Sequence, residues 1–160
     1  LLNALRLSRI ALHARTGKQQ YKGHPDLEAF QGFYELCQHP LYYNGGIESL
    51  SDIRQILIRF PLLKGVFIGR GLLSSPLLAK EFKGNETFLP EQRMSIYFAF
   101  HEELFSAYSQ VLQGETQLLV KMKTLWEYFL PETDRKLLKR IKKSTRLQQY
   151  TESVKAIFTS

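Results

Sequence analysis

Cysteine is almost missing from this sequence: Cys37 is the only one in 160 residues. A disulfide framework and a cysteine-built zinc site are thereby excluded, and a reducing compartment, the cytoplasm, is expected. Long apolar runs are missing as well. A membrane-spanning helix takes roughly 20 consecutive apolar residues, and no stretch here comes near that, so no membrane association is expected. HExxH, EF-hand and Walker patterns do not occur, and no metal is expected. The first residue is Leu rather than Met, and no charged-then-apolar signal segment follows it. The natural start is expected to lie upstream.

Acidic residues are scarce at both ends. Residues 1–25 hold Arg6, Arg9, Arg15, Lys18 and Lys22 with no Asp or Glu, and residues 135–146 (RKLLKRIKKSTR) hold seven basic residues and no acid. Between them, residues 81–120 hold Glu81, Glu86, Glu91, Glu102, Glu103 and Glu115 against Lys83 and Arg93. With 44% apolar and 23% charged residues and a net charge of +7, the chain is globular in composition. Two basic ends around an acidic middle point to a polyanion partner, nucleic acid first; the alternative is a solvated helix face.

The first half alternates strand and helix. Ser8–His13, Pro40–Tyr43 and Gly65–Ile68 are short β-prone segments. Leu27, Phe30, Phe33, Tyr34 and Cys37 recur at helical spacing, as do Ile53, Ile56, Leu57 and Phe60. Units of strand, loop and helix are the pattern of parallel βα repeats. Phe82–Pro90 reads as a linker, and from Glu91 the pattern is helical throughout. Stripes over Met94–Leu112, Leu118–Phe129 and Leu137–Ile141 are followed by a short last helix around Val154, Ile157 and Phe158. The expected architecture is α/β over residues 1–82 and a small helical bundle over 83–160.

Asn44-Gly45-Gly46 and Gly69-Arg70-Gly71 follow consecutive predicted strands. Glycine there lets backbone N–H groups approach a phosphate, and Arg70 adds a charged, bidentate donor. The alternative is that these glycines only form tight turns. His13 ends the first strand, where ligands sit in parallel α/β folds, or is a satisfied strand-end histidine. His101 lies in an apolar stripe and reads as a core histidine, and Cys37 as a helix-packing thiol.

Taken together, HARTGKQQYKG, YYNGGI and GVFIGRGLLSSP resemble the carboxyl-terminal part of the tRNA-dihydrouridine synthases. In that family H-x-R-T…Y-x-G, N-G-x-I and G-x-x-I-G-R-G-x-L-x-x-P occur in this order. The tail segment KMKTLWEYF is more loosely similar to the family's R-x-K-x-W-L-x-Y. The resemblance implies the last three βα units of an FMN-binding TIM (β/α)₈ barrel followed by a helical tRNA-binding domain. It implies an oxidoreductase that uses NADPH through FMN to reduce a uridine of tRNA to 5,6-dihydrouridine. It places the flavin-contacting positions at His13, Asn44, Gly45, Gly46, Gly69 and Arg70. The tRNA-facing cations are expected to be Arg15, Lys18 and Lys22 near the barrel mouth, and Lys121, Lys123, Lys139, Arg140, Lys142 and Lys143 in the tail. The family's catalytic cysteine lies in a segment that this sequence does not contain, and Cys37 does not stand in its context. The chain is therefore expected to lack a catalytic residue of its own, to want the amino-terminal half of the barrel, and to be inactive alone. A non-catalytic RNA-binding module derived from the same fold and another FMN-binding barrel oxidoreductase are the alternatives.

Overall fold

The computed structural model describes residues 1–19 and 23–159. They divide into two compact units, Leu1–Leu72 and Leu73–Ser160. In the first unit, β1 (Ile10–His13), α1 (Leu27–Leu36), β2 (Leu41–Asn44), α2 (Leu50–Arg59) and β3 (Gly65–Phe67) alternate along the chain. The strands form one parallel sheet in the order β1-β2-β3, with Leu12 beside Tyr43 beside Val66 and His13 beside Asn44 beside Phe67.

Local chemistry sets the helix starts. The Asp26 carboxylate accepts from the N–H groups of Glu28 and Ala29 at 3.1 and 2.9 Å and so caps α1. At α2 the Ser49 hydroxyl accepts from Asp52 N–H, and the Asp52 carboxylate accepts from Ser49 N–H, a reciprocal capping box. The apolar sides of both helices cover one face of the sheet. The Phe30 ring stands edge-on, 4.9 Å between centroids, to both Tyr43 and Phe60, and Ile53 is fully buried beneath α2. Because side chains alternate along a strand, the opposite face carries Ala11, His13, Tyr42, Asn44 and Phe67. That face is open: Ala11 and His13 are exposed, and Phe67 is 45% exposed.

Between β3 and the bundle, α3 (Arg70–Ser74) spans the division of the units. The second unit continues with α4 (Leu78–Gly84), α5 (Pro90–Val111), α6 (Glu115–Leu125), α7 (Arg135–Lys143) and α8 (Leu147–Phe158). α4 occupies the start of the segment expected to be a linker and ends on Asn85 in the left-handed conformation, φ 48°. The last helix is longer than the short one expected, because Tyr150 and Ser153 also face the core. Met122, Phe129, Ile141 and Tyr150 are fully buried, with Trp126 and Val154 against them.

Two polar networks pin this unit. The buried Glu81 carboxylate accepts both guanidinium arms of Arg93, whose Nη1 also donates to the Tyr97 hydroxyl at 3.3 Å. Tyr97 and Ser75 share a further hydroxyl contact of 2.6 Å. In the second network, Trp126 Nε1 donates to the Tyr150 hydroxyl at 2.9 Å, and that hydroxyl meets His101 Nε2 at 2.7 Å. His101 Nδ1 faces Glu102 at 3.0 Å. Among the described residues no helix is long and apolar enough to cross a membrane.

Candidate phosphate pocket and cationic surface

In a parallel sheet all strands end on the same side, so the loops that follow them converge. Here they enclose a cavity of about 340 Å³ at the carboxyl ends of β1, β2 and β3. His13, Asn44, Gly45, Gly46, Gly69 and Arg70, the six positions assigned to the flavin from the sequence, all line it. His13 Nδ1 donates to the Asn44 carbonyl at 2.8 Å. A carbonyl can only accept, so Nδ1 carries a proton and Nε2 is the ring atom left to face the cavity.

Two glycines shape the loops by different means. Gly46 has φ +55°, a left-handed conformation that other residues adopt only at a cost. At Gly71 a Cβ would lie 2.3 Å from the Ile47 carbonyl oxygen, so the loops after β2 and β3 touch backbone to backbone there. Gly69 is the opposite case: a Cβ would meet no described atom within 4 Å, and the space it would fill borders the cavity. We expect Gly71→Ala to disturb the fold by about 1–3 kcal/mol, as overpacking does, and Gly69→Ala to leave the unfolding midpoint unchanged. Urea unfolding of the two variants beside the parent checks this; equal losses would mean that the loops do not touch as described.

Arg15, expected from the sequence to face tRNA, lines the same cavity. Its Nη2 donates to the Gly23 carbonyl at 2.9 Å, and its buried Nε has no hydrogen-bond partner among the described residues. Sequence reasoning also passed over Glu48 and Phe67, which complete the wall. The Tyr43 hydroxyl lies beneath the Gly45 loop, pushed up in pKa by burial, with Arg15 lowering it and Asp52 adding to the rise. The residues suit a phosphate-bearing group. Gly69 leaves room for close backbone approach, and Arg70 and Arg15 supply cationic donors. Phe67 and Tyr42, edge-to-face at 5.6 Å, give an apolar floor on the open face. Cys37 sits at the other end, capping α1 just before β2, where its thiol donates to the His39 carbonyl at 3.6 Å.

Lys18 is exposed in the loop after β1, and Lys22 lies outside the described residues. In the second unit Lys121 stands over the Tyr108 ring, 5.3 Å from its centroid. Lys123 is partly buried and donates to the Ser144 carbonyl at 2.8 Å. Lys139, Arg140, Lys142 and Lys143 are exposed on α7.

The model of the dihydrouridine synthase family matches residues 7–159. A probable tRNA-dihydrouridine synthase of Aquifex aeolicus (strain VF5) is 34% identical over 77 residues, covering 48% of this chain and 24% of that protein. One of Rhizobium leguminosarum bv. phaseoli is 36% identical over 67 residues, covering 42% of this chain and 21% of that protein. The matched part of the chain thus spans less than a quarter of the length of each of these curated relatives. With the family model matched along nearly its whole length, the chain belongs to the dihydrouridine synthase family.

Proposed function

We propose that this chain carries the phosphate end of a flavin site and a tRNA-gripping surface of an enzyme that reduces uridine in tRNA to 5,6-dihydrouridine in the cytoplasm. The observation that carries the reading is the convergence of His13, Asn44, Gly45, Gly46, Gly69 and Arg70 on one cavity at the ends of three parallel strands. The flavin is FMN and the reductant NADPH, in keeping with the family resemblance of the loop motifs.

These residues would hold FMN by its phosphate, and the flavin would supply the hydride equivalent for reduction of the uracil ring. The chain's own residues bind and orient. Backbone N–H groups of Gly45, Gly46 and Gly69, with the Arg70 guanidinium, hold the phosphate. His13, fixed by its bond to Asn44, offers Nε2 toward the rest of the cofactor or the ring. No residue of this chain is assigned the proton transfer to the uracil carbon. That group belongs to the further βα units that we propose complete the barrel, as the open face of the sheet and the exposed β1 edge suggest. Lys18, Lys121, Lys139, Arg140, Lys142 and Lys143 are proposed to face the tRNA, while Arg15 lines the phosphate cavity.

Flavin binding tests the pocket. In the gene product, Arg70→Ala removes a charge-assisted contact worth about 1.5–3 kcal/mol, so FMN affinity should fall roughly tenfold or more. Gly69→Val should do at least as much without lowering the unfolding midpoint. Fluorescence titration with FMN reads both; parental affinity in both variants would place the phosphate elsewhere.

A further inference from the structure

α7 carries more unneutralised charge than a solvated helix face requires. Arg135, Lys136, Lys139, Arg140, Lys142 and Lys143 crowd into its nine residues, and among the described residues none of them makes an ion pair. Like charges three and four residues apart repel. Lys136 also sits in the first turn, where a cation opposes the helix dipole. Stability therefore does not account for the pattern, and a polyanion does. Lys136, Lys139, Arg140 and Lys143 share one side of the helix and line a cleft of about 490 Å³ against α8, with Glu152 as its single acid among the described residues.

Lys123 does not line this cleft but is hydrogen-bonded to Ser144, which does. Its ammonium donates to the carbonyl of Ser144, the buried residue that closes α7. The next residue, Thr145, donates its N–H to Gln149 Oε1 at 3.0 Å and turns the chain into α8. A cation at the end of α7 suits the helix dipole and ties the corner between α7 and α8 to α6.

We infer that the α7–α8 cleft engages successive backbone phosphates of the tRNA through Lys136, Lys139, Arg140 and Lys143, and that Lys123 is a positioning residue that holds this corner and touches no phosphate. The inference rests on the tRNA reading above. Relative to the cations expected from the sequence, it adds a contact at Lys136 and takes one away at Lys123. Each phosphate contact releases counterions and contributes roughly 0.7–0.9 to the slope of log affinity against log salt, whereas a positioning residue contributes nothing to that slope.

The test is a titration of the gene product with an unmodified tRNA transcript at several salt concentrations. Lys136→Gln should weaken binding roughly three- to tenfold and flatten the slope by about one. Lys123→Met should weaken binding with the parental slope, and Lys123→Arg, which keeps a donor for Ser144, should restore the affinity. A parental slope in Lys136→Gln overturns the cleft assignment. A flattened slope or an unchanged affinity in Lys123→Met overturns the positioning role. Joint replacement of Lys139, Arg140, Lys142 and Lys143 by Gln tests the underlying reading separately: unchanged affinity there removes tRNA from this helix altogether, and lost affinity with an unmoved Lys136→Gln removes the cleft alone.

Discussion

Replacing Arg93 with Met should cost about 3–5 kcal/mol of stability, the usual penalty for stranding one partner of a buried pair. The pair is asymmetric. The Glu81 side chain is 4% exposed and that of Arg93 34%, so loss of the arginine leaves a carboxylate that water cannot reach. Tyr97 loses a donor in the same step, and with it the hydroxyl chain to Ser75 loosens. Glu81→Gln should be milder, about 1–3 kcal/mol, because an acceptor stays in place and the arginine side chain, one-third exposed, can turn to solvent. Thermal unfolding by circular dichroism should show the midpoint of Arg93→Met lowered by roughly 6–20 °C. If Glu81→Gln proved the more harmful, the charge would not be the stranded group.

The second large effect is expected at Tyr150. Its hydroxyl accepts from Trp126 and donates to His101 Nε2, while His101 Nδ1 donates to Glu102. Every polar atom of this buried chain is satisfied when the imidazole is neutral. Tyr150→Phe leaves the indole N–H and the imidazole nitrogen without partners, at about 1–3 kcal/mol for each such group. Burial pushes the His101 pKa down and Glu102 only partly opposes it. Protonation would moreover turn Nε2 into a donor facing a hydroxyl that already has its proton pointed there. The unfolded chain takes up a proton at this histidine as pH falls through about 6.5, and the folded chain does so only at lower pH. The neutral histidine's contribution is therefore complete above about pH 6.5 and is lost as pH falls from there toward the lower folded value. Urea unfolding at pH 7.5 and at pH 5.5 should show this loss in the parent and a smaller one in His101→Gln. Equal losses would assign the pH dependence to other groups.

Much of this was legible in the residues, for identifiable reasons. The three strands and the helices between them follow from apolar spacing, a local signal, and the structure adds the caps at Asp26 and Ser49. The convergence of His13 with the two glycine loops follows once the strands are read as parallel, because topology then dictates which ends meet. What escaped depends on contacts distant in sequence. Arg15 looked like one of several loop cations until the return of the chain at Gly23 drew it into the cavity. Glu81 belonged, by sequence, to the acidic middle. Its burial comes from Arg93, twelve residues on and in another helix. α4 is too short for its periodicity to register, and it is held by Leu77 and Leu78 packing inward. Lys123 resembled Lys121 in sequence, yet one ammonium lies over a ring and the other caps a helix.

The most direct test of the proposed activity is a position-by-position map of dihydrouridine in tRNA from cells in which the gene for this chain is disrupted. The expected result is the loss of dihydrouridine from at least one tRNA position, restored by the parental gene and not by its Arg70→Ala form. An unchanged map at every position would contradict the assignment of uridine reduction to this protein.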